Sequence, residues 1–154
     1  MNQITKNIFN PGTYTNNINL VLLILRLVAG IFMLTHGIGK LERLFGDGPI
    51  QFADPLGVGA TASLALTVFS EVFCSILIII GLGTRLAAIP LFITMLVAAL
   101  IVHSTDGFGR QELPLMYAAI YTTIAVLGAG KYSLDYLIAG RRKHKDVSNN
   151  ANLL

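Results

Sequence analysis

Two histidines, a lysine and an acid stand at the ends of apolar runs in this 154-residue chain, where a charged group needs either a partner or a task. His36 and Lys40 close the first run, His103 closes the third and Glu112 opens the fourth. If successive runs alternate in direction, the four arrive at one depth from three helices. Imidazoles, an ammonium and a carboxylate at one level can bind a polar headgroup, relay protons or hold a metal. A metal would use His36, His103 and Glu112 as a two-histidine, one-carboxylate set. Lys40 beside that set opposes a cation, and no helical His-x₃-His pair occurs, so no metal is expected. Haem would need histidines facing each other in the core, whereas His36 and His103 are near one surface and His144 is in the tail at the other. No nucleophile motif such as G-x-S-x-G is present, so hydrolysis is not expected. The plainest alternative is that these groups satisfy one another at an interface, where lysine and histidine reach water.

A second constellation is a pair of charges inside apolar runs. Arg26 lies in the first run, and Met33, His36, Gly37 and Lys40 follow it at about −20°, −80°, +20° and −40° on a helix of ~100° per residue. One stripe holds them all, and it cannot face lipid, because a membrane-buried arginine costs at least ~2.5 kcal/mol on insertion scales. Glu71, in the second run, is the acid available to it. Arg26 is ~12 Å from the inner start of its run and Glu71 ~15 Å from the inner end of its own. The similar depths predict a buried Arg26–Glu71 ion pair, each charge offsetting the other in the bilayer.

The elements that position these residues follow from composition. Apolar residues make up 54% of the chain and charged ones only 12%, half of what a soluble globule carries. The excess falls in runs at 18–40, 60–81, 86–104 and 113–128, each close to the ~20 residues that span a bilayer core. Short connections between them favour an up-down-up-down arrangement. The fold expected is therefore an all-α integral membrane protein, an antiparallel bundle of four transmembrane helices over 18–140. An N-terminal arm (1–17) reads as loose, and a basic tail (141–154) suits anionic headgroups.

Charge orients the bundle. With the N-terminus cytoplasmic, Lys6, Arg85, Lys131, Arg141, Arg142, Lys143 and Lys145 are inside, and Lys40, Arg43 and Arg110 outside. That bias places both termini in the cytoplasm. The positive charge sits at helix ends, not on one soluble face, so nucleic acid is not an expected partner. Cys74 is the only cysteine, which excludes an intrachain disulfide and a CxxC redox mechanism, and leaves it as a packing residue.

Between the runs, local signals are mixed. Gly30, Gly37 and Gly39 allow close approach of a neighbouring helix. Residues 44–59 hold six glycines and prolines among apolar residues, and read as a segment folded on the outer surface as a lid or an anchor. Gly81-Leu-Gly-Thr-Arg85 makes a tight inner turn with Thr84 as candidate N-cap. Pro90 should bend the third helix near its inner end, and Pro114 suits a first turn of the fourth.

Several short motifs now fall into order: Leu25-Arg26-Leu27-Val28-Ala29-Gly30, His36-Gly37-Ile38-Gly39-Lys40-Leu41, Glu71, Gly81-Leu82-Gly83-Thr84-Arg85-Leu86-Ala87-Ala88, His103, and the stretch from Gly128 to Asp135. In that order the chain resembles the DoxX family of small bacterial four-helix membrane proteins, to which the DoxD-type subunit of thiosulfate:quinone oxidoreductase is related. The resemblance implies a multi-pass protein of the bacterial inner membrane and, in some members, association with redox or quinone-linked enzymes; it does not supply a reaction. The reading it favours is the membrane subunit of a redox system or a binder of a quinone-like molecule. The pocket would open outward and use His36, Lys40, His103 and Glu112. No electron-carrying cofactor is expected in the chain itself. The partners to expect are the lipid bilayer, a redox protein and further copies of the chain. The rival readings are a small-solute transporter using the same polar stripe, and an assembly factor or scaffold.

Overall fold

The computed structural model describes residues 9–140, whose regular elements are all helices, with no strand among them. Helix α1 is Asn16–Phe45, α2 is Ala60–Ile80, α3 is Thr84–Val102 and α4 is Phe108–Leu127, followed by a short helix α5 over 134–140. Three of these, α1 to α3, are long and apolar enough to cross a membrane, with a mean hydropathy of 2.3 in their most apolar stretches. Their outer surface carries exposed Ile24, Ile31, Phe32, Leu66, Phe73, Ile93 and Ile101. A water-soluble monomer rarely exposes so continuous an apolar surface, whereas lipid solvates it at no cost. The buried core between the helices is made of Ala29, Met33, Ile78, Leu91, Met95, Tyr121 and Ile124 with small residues between them.

Helix α1 packs chiefly on α2, and α3 lies along α4, while α1 meets α4 only sparingly. Two glycines set the first contact. A Cβ on Gly30 would stand 2.5 Å from Ile79, and one on Gly37 would stand 2.7 Å from Val72 and 3.0 Å from the backbone of Glu71. Gly39, expected to do the same, has no neighbour within 4 Å. It is off the stripe, because two residues turn the helix by ~200°.

Two helices change pitch along their length. Phe69–Cys74 in α2 and Ala98–Val102 in α3 are π-helical, and the second closes with the His103 amide donating to the Ala98 carbonyl at 3.0 Å. An i→i+5 turn inserts a residue and re-aims the side chains beyond it, a pattern found often at functional sites. Hydrophobic periodicity does not foretell it.

The α2–α3 turn differs in one respect from expectation. Gly81 ends α2 in the left-handed conformation (φ 71°), with the Leu82 amide donating to the Leu77 carbonyl at 3.0 Å, which is a Schellman closure. Thr84 is the first residue of α3 and does not cap it. The cap comes from Asp135, whose carboxylate accepts the Gly83 and Thr84 amides at 2.8 and 3.0 Å. An acid at a helix N-terminus satisfies orphan donors and complements the dipole. The other end of the neighbouring helix is closed by the opposite charge: the Arg85 guanidinium donates to the carbonyls of Ala125, Val126 and Leu127 at the C-terminus of α4.

Nor is the segment before α1 loose where it is described. The Gly130 amide donates to the Pro11 carbonyl at 2.8 Å and the Tyr14 hydroxyl to the Leu127 carbonyl at 2.9 Å. Buried Asn19 bridges the two chain segments, donating to the Tyr14 and Thr15 carbonyls and accepting the Lys131 amide. The basic tail lies outside the described residues. Helix α4 starts at Phe108, five residues before the expected Leu113, so Pro114 sits within the helix and not in its first turn. There its missing N–H leaves the carbonyl of Arg110 without its usual helical donor.

The glycine contact makes a test. Gly37→Ala should lower stability by about 1–2 kcal/mol, overpacking outweighing the gain in helix propensity, while Gly39→Ala should be neutral or stabilising by up to about 1 kcal/mol. Thermal unfolding in detergent reads both; equal stability of the two variants would mean that α1 and α2 do not meet there.

Candidate functional site

Where α1 and α4 diverge, at the end of the molecule away from the α2–α3 turn, lies a cavity of about 440 Å³. Met33, His36 and Lys40 line it from α1, Glu71 from α2, Met95, Ala98 and His103 from α3 and its end, and Gly109, Arg110, Leu113, Pro114 and Tyr117 from α4. The spacings 33-36-40 and 109-113-117 are each a single helix face, so both helices present one stripe to the same space. Three of the four expected pocket residues, His36, Lys40 and His103, therefore share one cavity. Glu112 does not: it is exposed on another face of α4, and Arg110, two residues earlier, lines the cavity instead. The 44–59 segment contributes no lining residue. Its Asp54 is turned to α2, accepting the Ser63 hydroxyl at 2.7 Å and the Gly59 and Val58 amides at 2.8 and 3.0 Å. These donors, Ser63 first, hold the Asp54 carboxyl below the usual carboxylate range.

The acid in the cavity is Glu71, and its partner is Lys40, not Arg26. The Lys40 ammonium donates to both carboxylate oxygens at 2.5 and 2.6 Å. Glu71 is 3% exposed and Lys40 29% exposed, so the acid is sealed in and the base faces the cavity. The expected Arg26–Glu71 pair fails on axial register. Gly37 packs on Glu71 and Gly30 on Ile79 and Ser75, which carries Arg26 down to Gly81. Ten residues of helix, or ~15 Å, then separate Arg26 from Glu71. Lys40 sits one turn beyond Gly37 and points back toward the N-terminus of its own helix, which brings its ammonium level with Glu71. Fully buried Arg26 instead donates to the Tyr132 carbonyl at 2.6 Å, lies against Gly81 and feels the charge of Asp135. A side chain on Gly81 would strike that guanidinium, with a Cβ 2.1 Å from Nη1.

The two histidines are held differently. His36 meets Tyr117 edge-on, with ring centroids 6.4 Å apart at 87°, and Tyr117 stacks on Tyr121. His103 Nδ1 is 2.8 Å from Asp106 Oδ2, and the His103 carbonyl accepts from the Gln111 side chain at 2.9 Å. That anchorage fixes the ring's orientation. The Asp106 carboxyl lies below its usual range because of the His103 contact first and the Arg110 charge second. Chemically, the cavity offers polarizable and aromatic walls from Met33, Met95 and Tyr117, and hydrogen-bonding groups from His36, Lys40, His103 and Arg110. The sequence alone does not mark Tyr117 and Met95 as lining residues, nor Asp106 as the partner that holds His103. Tyr117 could have been found from its i+4 and i+8 relation to Leu113 and Gly109.

An all-helical chain with three membrane-competent helices and a polar cavity between them is a helical membrane protein. Its family is also shown: the chain belongs to the DoxX family, whose model matches residues 21–104 and so includes Arg26, His36, Lys40, Glu71 and His103. Among relatives, a Bacillus subtilis protein named "Putative oxidoreductase CatD" is 25% identical over 82% of this chain and 92% of its own. An uncharacterized membrane protein of Mycobacterium tuberculosis is 29% identical over 76% of this chain and 80% of its own. An uncharacterized protein of Haemophilus influenzae is 31% identical over 76% and 82% respectively. No solved structure matches the chain significantly.

Burial predicts an asymmetric response of the ion pair. Lys40→Met strands Glu71 in the interior and should cost about 3 kcal/mol, Glu71→Gln should cost less because Lys40 can turn to solvent, and the double change should be milder than the sum. A double-mutant cycle on unfolding in detergent measures this; additive effects would separate the two residues.

Proposed function

We propose that this protein is a quinone-binding membrane component of a redox system in the bacterial inner membrane. The observation that carries the reading is the cavity between the helices, where His36, His103 and the Lys40–Glu71 pair converge beside the apolar walls of Met33, Met95 and Tyr117. Its volume is within the ~300–1,000 Å³ of small-molecule sites. A quinone ring is flat and apolar with carbonyl oxygens at opposite edges, and reduction brings protons to those oxygens. His36 and Lys40 would donate hydrogen bonds at one edge and His103 at the other. Lys40 would give a proton to the reduced oxygen and take one back from water at the mouth, to which it is part-exposed, while the Glu71 carboxylate holds it in position. Electrons would come from a redox partner protein. The name of the Bacillus subtilis relative is consistent with such a role.

In this reading α4 also crosses the membrane, making an antiparallel bundle of four spans with both termini in the cytoplasm and the cavity on the outer side. The 20 residues of α4 and its packing along α3 support this, as does the charge bias of the sequence. A transport pathway is less favoured. Below the cavity the molecule is closed by Tyr121, whose hydroxyl donates to the Ala29 carbonyl, and further on by Arg26 against the α2–α3 turn.

Two measurements check the proposal. A reporter active only in the periplasm, fused after Leu154, should stay silent; activity would reverse the topology. Protein purified from membranes should release quinone on solvent extraction, and His36→Ala or His103→Ala should reduce that yield at least about tenfold, the effect of losing ~1.4 kcal/mol, with little change in thermal stability. Absence of quinone from the wild type together with no saturable binding of added quinone would end the reading.

A further inference from the structure

The walls of the cavity are unequally covered. Glu71, Met95 and Met33 form a floor that is 5% exposed or less, whereas the most exposed lining residues, His36, Gly109, Arg110 and Leu113, come from α1 and α4, and His103 after α3 is only partly exposed. Of the long helices that lie side by side, these two touch least, meeting through His36 on Tyr117 and Tyr121 on Ala29. The mouth is therefore the slot between α1 and α4. Polarity changes along that slot. Lys40 and Arg110 mark its outer end and His36 comes one turn further in; Leu113 on the lining is 51% exposed, and the next positions by helix spacing, Phe32 four residues from His36 and Met116 three from Leu113, are apolar and 55% and 57% exposed. A water-soluble ligand would need none of those apolar positions.

We propose that the cavity is loaded sideways from the lipid phase, through the slot between α1 and α4, by an amphiphile whose head lodges against His36 and Lys40 while its aliphatic tail lies between Phe32 and Met116. This rests on the quinone reading of the same cavity and adds the ligand's class, a tailed quinone dissolved in the bilayer, and its route. The physical reason is economy of desolvation. A head carrying only carbonyl acceptors leaves the bilayer interface with little hydration to lose, and the slot lets its tail remain in an apolar medium throughout. Gly109 lines the mouth, and a Cβ there would meet nothing within 4 Å, so a side chain at this position starts out into open space.

The chain contains no tryptophan, so Phe108→Trp, exposed at the start of α4 beside Gly109 and outside the cavity lining, places a single fluorescent reporter at the mouth. In lipid nanodiscs, quenching by decylubiquinone is compared with quenching by its tail-less parent ring, each corrected for partition into the same nanodiscs without protein. Tail packing should make decylubiquinone bind about tenfold tighter, equivalent to ~1.4 kcal/mol. Phe32→Gln with Met116→Gln should remove that advantage while leaving the parent ring's affinity unchanged. A bulky Gly109→Leu should slow association of the tailed probe several-fold. Equal affinity of the two probes, with both sets of substitutions silent, would overturn sideways loading while leaving the ring site standing. If neither probe quenches the reporter in a protein that melts like the wild type, the quinone reading and this inference fall together.

Discussion

The close contact of α1 with α2 at Gly30 and Gly37 is the constraint on which the rest of the structure depends. It sets the axial register of the two helices, and register decides which charges can meet. With Gly37 against Glu71, Lys40 reaches the carboxylate and Arg26 is carried to the α2–α3 turn. A shift of one helical turn, ~5.4 Å, would break both arrangements. Small residues matter here because lipid offers no hydrophobic drive for helix association, leaving close packing and polar contacts to do the work.

The polar groups inside the molecule then fall into two clusters at opposite ends. At one end Arg26, Asp135, Asn19 and the backbone from Gly81 to Thr84 tie α1, the α2–α3 turn and the 128–135 segment into a closed plug. Asp135 spends both oxygens on the start of α3, so it orders the turn and also supplies negative charge near Arg26. At the other end the Lys40–Glu71 pair, two histidines and Arg110 surround open space. The first cluster is closed by backbone partners of Arg26 Nη2, Asp135 and Asn19, while the second borders a cavity. That contrast distinguishes a structural use of buried charge from one available to a ligand.

The cavity also owes its shape to departures from regular helix. Glu71 lies within one π-helical stretch, and His103 follows directly on the other. Pro114, on the cavity wall, interrupts the hydrogen bonding of α4 one turn in from Arg110. Each irregularity loosens the ladder where a side chain must turn toward the cavity, at a cost in backbone regularity that a purely structural bundle would avoid.

The sequence by itself determined much of this. Run lengths and polarity settled that the chain is helical and membrane-embedded, and placed the helix boundaries of α2 and α3 within two residues, because hydrophobic burial against lipid depends on composition and length alone. It also determined that His36, Lys40 and His103 belong to one level, since alternating helices return to it. Only the tertiary structure decided which acid joins them. Glu112 and Glu71 are both acids at plausible depths, but facing is set by helix rotation and partnership by axial register. Neither is written in hydropathy, which is blind to a sliding of one apolar helix along another. The register came from contacts of Gly30 and Gly37 with particular atoms of α2, and the cap of α3 from a residue some fifty positions away, interactions that exist only once the chain is folded.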